Sequence, residues 1–379
     1  MNMPSRDSFS SAPLLALDTE FVWNRTYYAR LGLVQAAATG PFDRSRLPSA
    51  PPAAMPFRAP AADEASAILL DPDQCPSAPV RAVLEDPATT KVLHDAQQDL
   101  QHLARWTGAR PVSIFDTRLA AGFCGLPSTL SLARLVEAAC GISLPKTETL
   151  TDWTRRPLTP KQLEYAAQDV IYLGRAAQWL AARATELGTA DWMFEEMASL
   201  DDPALYAEPP PDEAWRRLKL PGFVRADPRA MHRARELAAW RERLARDRDL
   251  PRKWVAADEA IVQAASAPSF RVDAIPRKEL PPAFARGFAA TLEACARTPD
   301  ADLPPAAPAP ERDPTLRDRA SALLKKLAPL AEAAHVDPVL LATRADATAW
   351  LARPDDPANP LNRGWRRELA APAFRRPGA

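Results

Sequence analysis

The chain has 379 residues, enough for two or three domains, with 47% hydrophobic and 25% charged residues, which is ordinary for a soluble protein. The 48 basic and 48 acidic residues cancel, so nothing global marks a nucleic-acid binder and any basic surface must be local. Cys75, Cys124, Cys140 and Cys295 are widely spaced, which argues against a zinc site or a disulfide framework and fits a reducing cytoplasm. No apolar run reaches the ~18–20 residues that span a bilayer, and no basic segment precedes an apolar core at the amino terminus. The expectation is a soluble cytoplasmic protein with no membrane attachment.

The first element is the apolar run Leu14–Leu17, which leads into Asp18-Thr19-Glu20-Phe21 and reads as a buried strand. On a strand, side chains alternate, so Asp18 and Glu20 share one face while Thr19 and Phe21 share the other. Two carboxylates on one face repel unless a cation neutralises them, and a hard divalent metal takes oxygen ligands. Residues 24–30 read as a turn returning a second strand, residues 31–36, beside the first. Tyr27 and Tyr28, flanked by Arg25 and Arg30, can stack bases and hold phosphates, or can simply pack the hairpin.

Residues 40–67 are rich in Pro and Ala and lack an apolar period, so a disordered insertion is expected. A third strand at Ala67-Ile68-Leu69-Leu70-Asp71-Pro72, a helix over 79–85 and a short strand at 91–94 follow. Residues 95–103 read as a helix, because Ala96, Leu100 and Leu103 recur at helical spacing; Asp95 and Asp99 then share one of its faces. Ile114-Phe115-Asp116-Thr117 gives a further strand leading into a helix, with Asp116 as its N-cap. Thr159, Pro160 and Gln162 form a capping-box pattern opening a helix that continues towards Gly188. Tyr165 and Asp169 lie one turn apart on it.

Residues 201–212 are acidic and proline-rich, and beyond them the pattern becomes helical and Arg-rich. Over 228–248, Met231, Ala234, Leu237, Ala238 and Leu244 form an apolar stripe opposite Arg235, Arg243 and Arg246. That basic face either contacts phosphates or is solvated and laced with pairs such as Glu242–Arg246. After a second proline-rich break at 299–314, Leu323, Leu324, Leu327, Leu330 and Ala334 mark another helical unit.

In chain order the chemistry-bearing signals are Asp18-x-Glu20, Asp99 in His-Asp-Ala-Gln-Gln-Asp, and Tyr165-x-x-x-Asp169. This set resembles the DEDDy class of 3′→5′ exonucleases and, within it, the ribonuclease D family. The flanks extend the resemblance: Asp-Thr-Glu-Phe-Val, Arg-Thr-Tyr-Tyr, Leu-Gly-Leu-Val-Gln, Thr-Asp-Trp with Arg-Pro-Leu-Thr, and Tyr-Ala-Ala-Gln-Asp-Val. It is close over 15–35, 92–103, 115–125 and 151–173, then runs on weakly to Gly364-Trp365-Arg366. The implied fold is α/β: a ribonuclease H-like exonuclease domain, with a mixed sheet flanked by helices, followed by two small all-helical HRDC-like (helicase-and-RNase-D C-terminal) domains. The corresponding boundaries are 1–200, a linker at 201–212, helical domains at 213–298 and 315–379, and a linker at 299–314.

Phosphodiester hydrolysis needs a deprotonated water at neutral pH and stabilisation of the departing 3′ oxygen, which two divalent ions (Mg²⁺ or Mn²⁺) ~4 Å apart can supply. By resemblance, Asp18 bridges the two ions, Glu20 and Asp169 complete the site of the water-activating ion, and Asp99 supports the second, with Asp95 as its substitute. Tyr165 would orient the attacking water, because a phenol of pKa near 10 is a poor base. Phe21, Tyr27, Tyr28 and His94 are candidate substrate contacts. The implied substrate is RNA with a free 3′ end, typically a transfer RNA precursor, released as nucleoside 5′-monophosphates with no obligate protein partner. A DNA 3′→5′ exonuclease and a catalytically silent nucleic-acid-binding protein are the competing readings.

Overall fold

A computed structural model of the chain describes residues 9, 12–23, 25–41, 43–47, 67–144, 151–267, 271–305 and 314–374. Residues 48–66 of the expected insertion and 306–313 of the expected second linker lie outside the described residues. The chain forms two compact units, one of Met1–Val22, Leu31–Ala207 and Pro314–Ala379, the other of Trp23–Arg30 and Glu208–Asp313.

The first unit is built on strands β1 (Leu14–Val22), β2 (Arg30–Thr39), β3 (Ala67–Leu70), β4 (Thr90–Leu93) and β5 (Ile114–Asp116). They form one sheet in the order β3-β2-β1-β4-β5. β1, β4 and β5 run parallel, whereas β2 and β3 pair antiparallel, so the sheet is mixed as the resemblance implied. Helices α1 (Ser77–Leu84), α2 (Gln97–Thr107), α3 (Thr117–Ala121), α4 (Leu132–Cys140), α5 (Pro160–Ile171), α6 (Leu173–Leu187) and α7 (Ala190–Ala198) surround it.

Alternation along β1 divides its side chains between two cores. Leu14 and Ala16 pack with Ala166, Ala167 and Val170 of α5, whereas Leu15 and Leu17 pack with Val80 and Val83 of α1 and Leu100 and Leu103 of α2. Parity therefore turns Asp18 and Glu20 towards the α5 layer and Thr19 towards the α2 layer.

α5 begins where local chemistry says it should. Thr159 accepts the Gln162 N–H, the Gln162 side chain accepts the Thr159 N–H, and Pro160 fills the first turn. The expected single helix to Gly188 is instead two, because the chain leaves helical hydrogen bonding at Tyr172 and restarts as α6. At Gly32 of β2, a Cβ would come within 2.6 Å of the Trp153 carbonyl oxygen, so only glycine lets the 151–158 segment lie on the strand. Arg156 fixes that segment by donating to Asp71 Oδ2 (2.7 Å), Gly32 O (2.6 Å) and Trp153 O (2.8 Å).

The second unit contains α8 (Gly222–Ala226), α9 (Pro228–Asp247), α10 (Arg252–Val255), α11 (Asp258–Ser266) and α12 (Pro282–Arg297). Four of the five residues of the expected stripe are its centre: Met231, Ala234, Leu237 and Ala238 are buried against Ala260, Ile261, Ala264 and Phe288, whereas Leu244 is only partly buried and lies outside that core. The turn between β1 and β2 belongs to this unit. Tyr27 donates its hydroxyl to Glu242, and the Arg252 and Arg246 guanidinium groups lie 4.5 and 5.6 Å from its ring centroid.

The last helices are α13 (Pro314–Ala333), α14 (Pro338–Leu341), α15 (Arg344–Ala352) and α16 (Gly364–Phe374), and they return to the first unit. Asp337 accepts the Ser128 N–H at 2.6 Å. The Trp365 indole, 1% exposed, sits 5.1 Å from the Phe123 ring and donates to Glu196, which also takes the Arg366 guanidinium. Residues 314–374 thus share a hydrophobic core with the sheet.

Candidate active site

β4 pairs only with the first residues of β1, Leu14–Ala16 against Thr90–Val92. Asp18 and Glu20 therefore project just beyond the end of β4, at the carboxyl edge of the parallel strands, where α/β proteins bind ligands. α5 crosses the same face and delivers Asp169. Ligand oxygens of Asp18, Glu20 and Asp169 lie within 4.8 Å of one another, a spacing that suits one or more hard cations and is repulsive without them.

Asp99 enters from the other layer. It lies in the first turn of α2, is 8% exposed, and accepts a 2.5 Å hydrogen bond from Thr19 Oγ1. It lies outside the three-residue group but is close enough that its charge raises the pKa of Asp18, Glu20 and Asp169. Burial, followed by the neighbouring carboxylates, pushes Asp18 well above the usual range and Glu20 to about 8. Burial likewise raises Asp99 and Asp169, with the Thr19 and Tyr165 hydrogen bonds opposing it. Carboxyls shifted upward in concert, with no cationic side chain among the causes, form a donor set that fits a bound divalent metal.

Tyr165 hydrogen-bonds Asp169 one turn away, and burial followed by the Asp169, Glu20 and Asp18 charges raises its pKa, keeping the phenol protonated. Its ring centroid is 6.0 Å from that of Trp153, so the 151–158 segment backs the tyrosine. Asp95 does not begin the α2 helix and does not share a helical face with Asp99. It sits before it with φ 66°, paired to Arg118. The helix starts at Gln97 because the chain must turn sharply out of β4.

The other candidate residues lie as follows. Phe21 rests on His102 with ring centroids 4.2 Å apart. Both His94 ring nitrogens are engaged inside the fold, Nδ1 with Thr117 Oγ1 (2.9 Å) and Nε2 with Leu130 O (3.1 Å). Tyr27 and Tyr28 belong to the second unit, their hydroxyls on Glu242 and Glu208. Sequence reasoning missed Thr19, Trp153 and Arg156 as supports. The Thr-Asp-Trp and Arg-Pro-Leu-Thr strings held two of them without revealing what they touch.

A mixed sheet with a carboxylate trio at its edge and a helix-borne Tyr/Asp pair defines a nuclease of the 3′→5′ exonuclease class, and the family model of a 3′-5′ exonuclease matches residues 7–183. Ribonuclease D of Acidiphilium cryptum is 34% identical over 369 residues, 96% of this chain and 87% of that protein. Ribonuclease D of Pseudomonas paraeruginosa is 34% identical over 377 residues, 96% and 91% of the two chains. The crystal structure of Escherichia coli RNase D, an exoribonuclease involved in structured RNA processing, matches with a TM-score of 0.79 at 30% identity, over 97% of this chain and 93% of that one. The chain belongs to the ribonuclease D family. Residues 7–183 carry the ribonuclease H-like exonuclease domain of that family, and the helical C-terminal region continues the match.

Proposed function

We propose that this metal-dependent 3′→5′ exoribonuclease trims the 3′ ends of transfer RNA precursors, with Asp18, Glu20, Asp99 and Asp169 holding two divalent ions. The convergence of Asp18, Glu20 and Asp169 oxygens within 4.8 Å carries the reading. When bound, such ions lower the pKa of the attacking water and stabilise the departing 3′ oxygen. The chain's own groups do the rest. Asp18 is central, since Asp99, Asp169 and Glu20 all act on it. Tyr165 stays protonated and bonded to Asp169, which suits it to orient a water rather than to take its proton.

The HRDC-like character of the helices over 213–298 and 315–379, with 201–212 and 299–314 as linkers, is part of this reading, as is a role for them in holding structured RNA. So is a cytoplasmic setting, supported by four free cysteines; among the described residues no helix is long and apolar enough to cross a membrane. The test is incubation of the purified chain with 3′-extended transfer RNA precursor and a matched DNA, with Mg²⁺ or with chelator. RNA shortened one nucleotide at a time, and only with metal, is expected. Equal shortening of the DNA would instead favour a general exonuclease. Tyr165→Phe should lower turnover by ~10²–10⁴-fold with RNA affinity nearly unchanged.

A further inference from the structure

We propose that Asp116 is a positioning residue for hydrolysis, acting through Asp99. β4 and β5 are parallel neighbours, with Leu93 opposite Asp116, and each strand runs on into a helix, α2 and α3 respectively. Two helix amino termini therefore begin side by side next to the carboxylates. Asp116 is the expected cap of α3, its Oδ1 accepting from Arg118 N (2.8 Å) and Leu119 N (3.3 Å). The same carboxylate also reaches the other turn, accepting Asp95 N on Oδ1 (3.1 Å) and Ala96 N on Oδ2 (2.8 Å).

This second pair of bonds has no local substitute. The N-cap of α2 is Ala96, which offers no side-chain acceptor, so donors at the start of α2 depend on a residue twenty positions away. Asp95, held in the left-handed region that a non-glycine residue seldom adopts, is fixed from the same side by the Asp116 carboxylate and the Arg118 guanidinium. His94 adds a second strap through Thr117. Asp99 is the third residue of α2, so where that helix starts decides where its carboxylate meets Thr19 and faces Asp18. Asp116, 7% exposed, spends its carboxylate on backbone N–H groups of both turns and so sets the register of one wall of the site.

The inference rests on Asp99 belonging to the metal-holding set, so Asp116→Asn and Asp99→Asn are studied together in the full chain. Asparagine keeps the volume of Asp116 but replaces one acceptor oxygen with a donor. Asp116→Asn is expected to weaken Mn²⁺ binding without RNA, by calorimetry, about tenfold, and to lower kcat about tenfold with KM within twofold. In an Asp99→Asn background it should add little to either loss. Asp227→Ala, which removes a cap bond to Arg229 N in the second unit, controls for cap loss alone and should leave Mn²⁺ affinity unchanged. If Asp99→Asn alters neither quantity, the reading of the site fails. If it alters both while Asp116→Asn only lowers the melting temperature, the positioning role fails. Should Asp116→Asn not fold, Asp116→Ser, which can cap α3 but is too short to bridge, replaces it; failure of both to fold overturns the proposal in favour of a purely structural role.

Discussion

Two glutamates, one half-buried and one fully buried, show what each unit of this protein is built to do. Glu20 lies among Asp18, Asp99 and Asp169, and its pKa rises to about 8. Glu242, 1% exposed, receives Arg252, Arg246 and Arg217 together with the Tyr27 hydroxyl, and these partners outweigh burial and bring it to about 2. The side chain is the same, and the more deeply buried of the two is the one shifted down, so burial does not decide the direction and the difference lies in who supplies the counter-charge. The second unit neutralises its carboxylate from within and gains rigidity. The first leaves Asp18, Glu20, Asp99 and Asp169 with no cationic side chain among the causes of their shifts, which costs stability and reserves the place for a cation from solution.

The comparison breaks most sharply at Asp18. Asp18→Asn should reduce RNA trimming by about 10³-fold or more, equivalent to ~4 kcal/mol of transition-state stabilisation. In chelator the same variant should melt at an equal or higher temperature than the parent, because one repelling charge is gone. With millimolar Mg²⁺ that order should narrow or reverse. Lower stability of Asp18→Asn in chelator would mean that Asp18 serves the fold through hydrogen bonding rather than storing repulsion.

Next in size is Glu242→Gln, which strands three guanidinium groups around a neutral amide. Urea unfolding should show a loss towards the low end of ~3–5 kcal/mol, since Arg217 and Arg252 keep part of their hydration. Mn²⁺ affinity should stay unchanged. A stable Glu242→Gln protein would remove the contrast altogether.

The smallest effect is a pair of opposed pH slopes, measured in chelator. Glu20 is raised from its unfolded value of 4.5 to about 8. The folded state therefore binds more protons across that window, and stability falls as pH rises through it. Glu242 is lowered from 4.5 to about 2, so its contribution is complete above 4.5 and is lost as pH falls towards 2. Glu20→Gln should flatten the upper slope and Glu242→Gln the lower. Unaltered slopes would show that other groups set the pH dependence.

What could be read from sequence was what is local. The capping box at Thr159, the parity of Asp18 and Glu20, and the apolar stripe of α9 each depend on a few adjacent residues, and each has its structural counterpart. The break at Tyr172 has no proline to announce it, and Gly174 just beyond it lies inside the restarted helix. The positive φ of Asp95 was invisible because residues 116–118 supply its partners. Glu242 read as one half of an i,i+4 surface pair; its true neighbourhood includes Tyr27, more than two hundred positions earlier. Long-range hydrogen bonds have no periodicity, so pattern alone cannot announce them.

The return of α16 to the first unit has a consequence for how this protein comes into being. Synthesis runs from the amino terminus, so the wall that Trp365 and Arg366 build against Phe123 and Glu196 leaves the ribosome only after the whole of 208–313 has been made. Apart from the short turn that precedes it, the second unit is made in one piece, 208–313, and can settle while translation continues. The nuclease half is begun before the second unit and completed after it. Until residues 314–374 emerge, its apolar flank around Phe123 and Met193 has nothing to cover it, so the nascent chain should lean on chaperones during that interval, and a premature stop would cost the catalytic unit its core rather than merely an appendage.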